Sequence, residues 1–224
     1  MLTLGFDTAT DWGCLGLIRD GTVLAETGWL AGRDQAEKFL PALAETMARV
    51  GLVPADLDLI AVGCGPGSYT GLRIGLAMAQ AVGLALGKPV AGVGTLAALA
   101  ANGAGHDGPV CPVLAARRNE VYAAVYDRER ELIPPASFSP EALAARLEAL
   151  EGRILVVGSG ARLLGQATAA GAGRLVWGSE EQGLPRGSSV ARLGQARPGE
   201  PARPAYLRRT EAEERLGGAD GTCR

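Results

Sequence analysis

The chain has 224 residues, and 47% of them are apolar, which is enough to bury the core of one large domain or of two small lobes. Its 22 basic and 24 acidic residues give a formal net charge of -2, which excludes the broad basic surface of a protein that binds nucleic acid on its own. The 33 glycines and the 4% aromatic content favour an α/β protein with tight turns over an aromatic-rich β-sandwich. Four widely spaced cysteines and one histidine are too few for a zinc site or a disulfide framework, so we predict buried thiols and no metal.

The sequence predicts neither a targeting segment nor a membrane span. Asp7 follows the N-terminus too soon for a signal peptide. The longest apolar stretch, from Ile74 to Leu86, contains Gln80 and ends before the roughly 20 residues that cross a bilayer. We therefore expect a cytoplasmic chain that has no contact with a membrane.

The N-terminal segment has the pattern of an antiparallel sheet. Residues 2–8 and 12–19 alternate apolar and small side chains, and Asp20-Gly21 offers a two-residue turn into a third strand at residues 22–29. We predict three strands joined as a meander.

Helices and buried strands alternate in the next segment. Apolar residues recur at helical spacing from the candidate N-cap Asp34 to Gly51, and a continuous apolar run at 58–63 predicts a buried strand. A second helix at 70–86, a strand at 90–93 and a short helix that begins at Thr95 follow. This order of elements is the half-unit of actin-like and ribonuclease-H-like α/β domains.

A glycine-rich stretch at residues 103–109 predicts the boundary of a second lobe. Strands are expected at 110–115, 121–126 and 153–157, with helices from Ser139 to Leu150 and from Ser188 to Gln195. The predicted units are an N-terminal lobe at 1–104, a smaller C-terminal lobe at 110–207 and a mobile tail at 208–224.

Two features at the ends of predicted strands are candidates for phosphate binding. An acidic residue follows the first strand, and a loop with four glycines precedes the second helix, where backbone N–H groups can hold an anion. The same residues also suit a tight turn and a strand-to-helix connection, and the loop lacks the Gly-Lys-Ser/Thr ending of a nucleoside-triphosphate loop. Both interpretations stay open. The candidate vestigial phosphate-binding residues are Asp7, Thr8, Gly65, Gly67, Ser68 and Thr70.

No catalytic constellation is recognisable. His106 lies in the predicted connection between the lobes without a sequence partner, so we expect it on the surface. The segment from Arg117 to Glu120 either binds an anion or forms the polar tip of a hairpin. We therefore predict no catalytic residues and no cofactor.

Small residues recur every four positions along the second helix. The ridge consists of Gly71, Gly75, Ala79, Gly83 and Gly87. Each glycine inside a helix costs about 1 kcal/mol relative to alanine, so close packing of another backbone is the expected reason. That backbone belongs either to the protein's own sheet or first helix, or to a helix of another subunit.

Several segments together resemble the bacterial TsaB (YeaZ) family over roughly residues 2 to 208. They are Phe6-Asp7-Thr8-Ala9-Thr10, Phe39-Leu40-Pro41, the loop from Gly63 to Gly75, Gly92-Val93-Gly94-Thr95-Leu96, Arg117-Arg118-Asn119-Glu120-Val121-Tyr122 and Ala205-Tyr206-Leu207-Arg208. The resemblance implies an actin-like two-lobed fold and a non-catalytic role in making threonylcarbamoyladenosine in tRNA. It also implies a pairing with the catalytic paralogue TsaD, which the ATPase TsaE joins.

The chain departs from the family pattern at three places. Cys64 stands where the family commonly has Arg, and Gln35 stands where a His is common. The family's Asp-Ala-Arg hairpin appears as Ala115-Ala116-Arg117, so the resemblance assigns no carboxylate to this hairpin.

The leading hypothesis is a scaffold and activator subunit that binds its catalytic partner through the first two helices. We expect a homodimer to use the same surface when the partner is absent, and tRNA to be met only through the complex. The predicted partner-binding residues are Gln35, Phe39, Leu40, Leu43, Met47, Gly71, Leu72, Arg73, Gly75, Met78, Ala79, Val82 and Gly83. The alternatives are an ATP-dependent actin-like phosphotransferase, supported by Asp7 and the glycine turns, and a metallopeptidase, against which the single histidine argues.

Overall fold

The computed structural model describes residues 1–30, 35–117, 119–128, 130–168 and 173–207. Within these ranges the chain forms two lobes, each built on a five-stranded mixed sheet with helices packed against it. The predicted N-cap Asp34, Arg118 and the predicted mobile tail at 208–224 lie outside the described residues.

The first lobe follows the predicted order of elements. Its strands are β1 (Leu2–Asp7), β2 (Trp12–Arg19), β3 (Thr22–Leu30), β4 (Leu59–Gly63) and β5 (Val90–Val93), and its helices are α1 (Gln35–Arg49), α2 (Tyr69–Leu86) and α3 (Thr95–Ala100). The sheet order is β3-β2-β1-β4-β5, antiparallel from β1 to β3 and parallel from β1 to β5. Asp20 and Gly21 both have positive φ, as a tight hairpin turn requires, so the predicted meander is confirmed.

The second lobe repeats this topology. Its elements are β6 (Val110–Ala115), β7 (Val121–Asp127), β8 (Arg130–Phe138), α4 (Pro140–Glu148), β9 (Ile154–Val157), α5 (Ala161–Ala167) and β10 (Leu175–Trp177). The sheet order β8-β7-β6-β9-β10 matches that of the first lobe strand for strand. The expected actin-like, ribonuclease-H-like arrangement of two lobes is therefore confirmed.

Two strands of the second sheet were not predicted. β8 contains the consecutive prolines Pro134 and Pro135, which lack the N–H that a central strand needs. It lies at the edge of the sheet, where prolines are tolerated. β10 has only three residues, too few to show an alternating pattern.

The last helix, α6 (Gly187–Ala196), packs on the first lobe, although the predicted boundary assigned residues 110–207 to the second. The reason is a pair of glycines in the first sheet. A Cβ atom on Gly5 or on Gly16 would overlap the backbone of α6, so only glycine allows the helix to approach this closely. Glu26 anchors the start of the helix by accepting hydrogen bonds from the Ser188 N–H and hydroxyl, each at 2.9 Å.

Helix α3 lies between the two sheets. Leu96 and Leu99 are fully buried against the second sheet, whereas Ala98 packs with residues of the first sheet and of α6. Asn102, just after the helix, donates to the carbonyl of Leu184 at 2.7 Å and accepts from the Ser189 hydroxyl at 3.0 Å. These contacts tie the connection between the lobes to the C-terminal part of the chain.

Helix α2 is long and apolar enough, by length and composition alone, to cross a membrane. It connects β4 and β5, which are parallel neighbours in the first sheet, so the helix must return along that sheet. One side of the helix is buried against the sheet, as the core helix of an α/β lobe requires.

Candidate functional site

The carboxylate of Asp7 lies at the carboxyl end of β1 and is fully buried. It accepts hydrogen bonds from the Ala9 N–H at 2.6 Å and from the Thr95 hydroxyl at 2.7 Å. The Thr95 hydroxyl in turn accepts from the Gly65 N–H at 3.1 Å. Burial raises the pKa of Asp7, and these hydrogen bonds offset part of that increase. The bond from Ala9 agrees with the turn interpretation of Asp7, whereas the bond from Thr95, which ties the first strand to α3, was not predicted.

The glycine loop is packed against the turn that follows Asp7. A Cβ atom on Gly67 would overlap the carbonyl oxygen of Ala9, and one on Gly71 would overlap that of Thr8. The Ser68 N–H donates to the Ala9 carbonyl at 2.7 Å. The glycines therefore serve a close approach of two backbone segments, and this supports the strand-to-helix interpretation of the loop.

Thr8, Gly65 and Ser68, which are also candidate phosphate-binding residues, have partners within the chain. The Thr8 hydroxyl donates to the carbonyl of Gly71 at 2.8 Å, and Gly65 uses its N–H on Thr95. Ser68 is the N-cap of α2, its hydroxyl accepting from Gly71 at 3.3 Å, while Thr70 is exposed in the first turn. The structure brings these residues together, but it uses the polar groups of Thr8, Gly65 and Ser68 for hydrogen bonds within the chain.

The segment at residues 197–206, which we call the strap, covers the outer side of the glycine loop. The Gly92 N–H donates to the Glu200 carbonyl at 2.9 Å, and the Ala205 N–H donates to the Cys64 carbonyl at 2.7 Å. The strap can approach β5 this closely because residue 92 is a glycine: a Cβ atom there would lie 2.9 Å from the Cα of Ala202. The sequence analysis did not predict this docking.

The small-residue ridge of α2 faces the inside of the protein, which corrects the prediction that it forms a groove for a partner helix. A Cβ atom on Gly75 would overlap the Thr8 hydroxyl, and one on Gly83 would meet the side chain of Val90 at 2.5 Å. Ala79 is fully buried, and Gly87 is the left-handed C-cap of the helix at φ 64°. The ridge therefore packs on the protein's own strands.

Most of the other predicted partner-binding residues are buried as well, so they are unavailable to a partner in this conformation. They are Gln35, Phe39, Leu43, Met47 and Leu72. Gln35 donates to the Thr8 carbonyl at 3.1 Å, and the rings of Phe6 and Phe39 pack at a centroid distance of 4.5 Å in the core. Leu40 is 53% exposed, Arg73 is exposed, and Met78 and Val82 are half-buried.

The exposed apolar residues of α1 and α2 include a set of five, of which the sequence analysis selected only Leu40; α1 also exposes charged residues such as Glu37 and Glu45. We call this set the outward face; it consists of Leu40 and Ala44 on α1 and Ala77, Ala81 and Leu84 on α2. Leu84 is 88% exposed, and Arg73 is the only charged residue in α2. For the three residues of α2, the signal that identifies these positions is their place opposite the glycine ridge on the helical wheel.

The remaining candidates have structural roles. His106 is half-buried, and its Nε2 lies 2.9 Å from the carbonyl oxygen of Arg153, so it is less exposed than predicted. Ala116 N–H donates to the Glu120 carbonyl at 2.9 Å at the tip of the β6–β7 hairpin. Glu120 also accepts from the Ser137 hydroxyl at 3.3 Å, which agrees with the hairpin-tip interpretation.

Comparison with known proteins gives consistent results. The family model of TsaD, tRNA N6-adenosine threonylcarbamoyltransferase, matches residues 29–149. The tRNA threonylcarbamoyladenosine biosynthesis protein TsaB of Escherichia coli is 33% identical, with 98% of this chain and 100% of that protein covered. TsaB of Bacillus subtilis is 32% identical, with 95% and 96% covered.

Solved structures agree with these relatives. YeaZ from Pseudomonas aeruginosa is 27% identical and superposes with a TM-score of 0.78 over 92% of this chain and 99% of that one. The likeness to a ROK hexokinase from Thermus thermophilus, with a TM-score of 0.52, 14% identity, and 88% and 99% covered, extends to the fold alone. Because the similarity to TsaB spans nearly the whole length of both sequences, the chain belongs to the TsaB family of tRNA threonylcarbamoyladenosine biosynthesis proteins.

Proposed function

We propose that this protein is an accessory subunit of the tRNA threonylcarbamoyladenosine machinery that binds a catalytic relative of the TsaD type through its outward face. The observation that carries the proposal is the exposed side of α2 after Arg73, which carries no charged residue and is apolar except at Gln80. A helix that is apolar on all sides is normally buried on all sides, but only 33% of the residues of α2 are buried in this chain. Contact with a partner would cover the apolar residues of α2 that this chain leaves exposed.

The nature of the partner follows from the shared family region. The TsaD model matches residues 29–149, which include α1 and α2. A catalytic relative with the same helix pair offers a similar apolar face, and two such pairs can pack as a four-helix interface. We expect a TsaE-type ATPase to bind the resulting heterodimer, and a homodimer to form through the same face when the catalytic relative is absent.

The first-lobe site supports a role without catalysis by this chain. Asp7 is enclosed by hydrogen bonds, the glycine loop packs on the Thr8–Ala9 turn, and the strap covers the loop. We therefore expect negligible nucleotide hydrolysis by the purified chain. Turnover like that of a dedicated ATPase, abolished by Asp7→Ala, would instead favour the actin-like phosphotransferase.

The test is a charge placed on the outward face. Ala81→Glu puts a carboxylate on an exposed helical position, so we expect the folded protein to lose its complex with the TsaD-type subunit. Ala145→Glu, at an exposed position of α4 in the second lobe, is the matched control and should keep the complex. Size-exclusion chromatography with light scattering measures assembly, and circular dichroism verifies folding. An intact complex with Ala81→Glu would place the interface elsewhere.

A further inference from the structure

Two tyrosines that are distant in sequence meet on the surface at the start of α2. Tyr69 is the first residue of that helix, and Tyr206 ends the strap. Their ring centroids are 5.2 Å apart with an interplanar angle of 30°, and the residues are 45% and 46% exposed. Arg73, one helical turn after Tyr69, places its guanidinium carbon 5.3 Å from the centre of the Tyr69 ring and donates to the Tyr69 hydroxyl at 3.1 Å.

The strap holds this cluster in place. The residue before Tyr206 is fixed by the hydrogen bond from the Ala205 N–H to the Cys64 carbonyl. Further back, Ala202 packs against the first-lobe core. The aromatic pair is therefore organised before any ligand arrives, which lowers the entropic cost of binding.

The surroundings of the tyrosine pair favour an anionic, planar ligand. The first turn of α2 contains no acidic residue, and its N-terminus carries the positive end of the helix dipole. Arg73 lies against the Tyr69 ring, and Arg203, three residues before Tyr206 in the strap, is exposed. Glu200 is the acidic residue of the strap and is also exposed. Exposed aromatic rings beside arginines are the usual means by which proteins stack unpaired bases of RNA.

We infer that Tyr69, Tyr206 and Arg73 form a stacking site for an unpaired base of the tRNA substrate. The inference rests on the proposed function, and it goes beyond the expectation that tRNA is met only through the partner. The site is separate from the far end of the outward face, because Leu84 lies fifteen residues after Tyr69, about 22 Å along the helix axis. Stacking needs no broad basic surface, which agrees with the net charge of -2.

The experiment measures tRNA binding by fluorescence anisotropy on the complex reconstituted with the TsaD-type subunit. Tyr206→Ala should weaken binding about tenfold, the order expected for one lost base stack, and Tyr206→Phe, which keeps the ring, should restore it. The salt dependence of binding should be unchanged in Tyr206→Ala, since no phosphate contact is removed. Unchanged affinity in Tyr206→Ala would overturn the inference.

Assembly of the complex is measured on the same variants, because tyrosine and arginine are also enriched at protein interfaces. We expect Tyr206→Ala to assemble normally. Loss of assembly together with loss of tRNA binding would assign the pair to the protein interface and overturn the inference. The isolated chain at low salt gives an independent test: its weak tRNA binding should show the same tenfold loss, even if the wild-type complex fails to form and the proposed function is refuted.

Discussion

The hydroxyl of Thr95 donates to the buried carboxylate of Asp7 across 2.7 Å, although 88 residues separate the two in sequence. The same hydroxyl accepts from the Gly65 N–H, so one oxygen joins β1, the glycine loop and α3. We predict that Thr95→Val lowers the free energy of unfolding by about 2 kcal/mol, because it leaves a buried donor and a buried carboxylate each without this partner. Urea denaturation measures the loss. Thr95→Ser keeps the hydroxyl, so its free energy of unfolding should fall much less. Equal losses in Thr95→Val and Thr95→Ser would show that the hydrogen bonds contribute little to stability.

The pH dependence of stability should contain a contribution from Asp7. Burial raises its pKa above the ordinary value of 3.8, so the folded state favours the protonated acid more than the unfolded state does. The contribution to stability is complete below pH 3.8 and is lost as the pH rises through the higher pKa of the folded state. Asp7→Asn, which carries no charge, should flatten the profile over this range relative to wild type. Denaturant unfolding at several pH values measures both profiles. If the stability of wild type and of Asp7→Asn changed with pH in parallel, the pH dependence would not come from Asp7.

The glycine ridge can be tested with two glycine-to-alanine substitutions of opposite expected sign. Gly71→Ala places a methyl group against the Thr8 carbonyl and should destabilise the protein by about 1–3 kcal/mol. At Gly165 in α5 the nearest atom, on Trp177, lies 3.5 Å from the added carbon, so Gly165→Ala should stabilise by up to about 1 kcal/mol through helix propensity. Thermal unfolding measures both. A neutral Gly71→Ala would mean that the ridge and the Thr8 turn are not in close contact.

Two glutamate substitutions in α2 should differ in what they disrupt. Ala79 is fully buried against the sheet, so Ala79→Glu is expected to cost about 3–5 kcal/mol and to unfold much of the protein. Ala81 is exposed two residues later, and Ala81→Glu should leave the melting temperature nearly unchanged. Circular dichroism melts of the two variants make the comparison. A stable, folded Ala79→Glu protein would show that this side of the helix faces solvent.

Local patterns in the sequence were sufficient for most elements of the first lobe. Asp20-Gly21 supplies the positive φ angles of the hairpin, and Gly87 in the left-handed conformation ends α2 where the pattern predicted. The apolar run at β4 and the family motifs are equally local. Such features depend on conformational preferences of a few adjacent residues, and these are readable without the rest of the chain.

Only the tertiary structure decided which side of α2 faces inward. Both sides of that helix are apolar, so periodicity could not distinguish the buried Gly75 and Ala79 from the exposed Ala81 and Leu84. The turn at Thr8 determines this orientation. It lies so close to α2 that only the glycine side of the helix can pack against it. Local patterns also could not predict the return of α6 to the first sheet or the pairing of Tyr206 with Tyr69. These contacts join residues that are more than a hundred positions apart. The free energy that stabilises them comes from packing between distant segments, which no local segment contains.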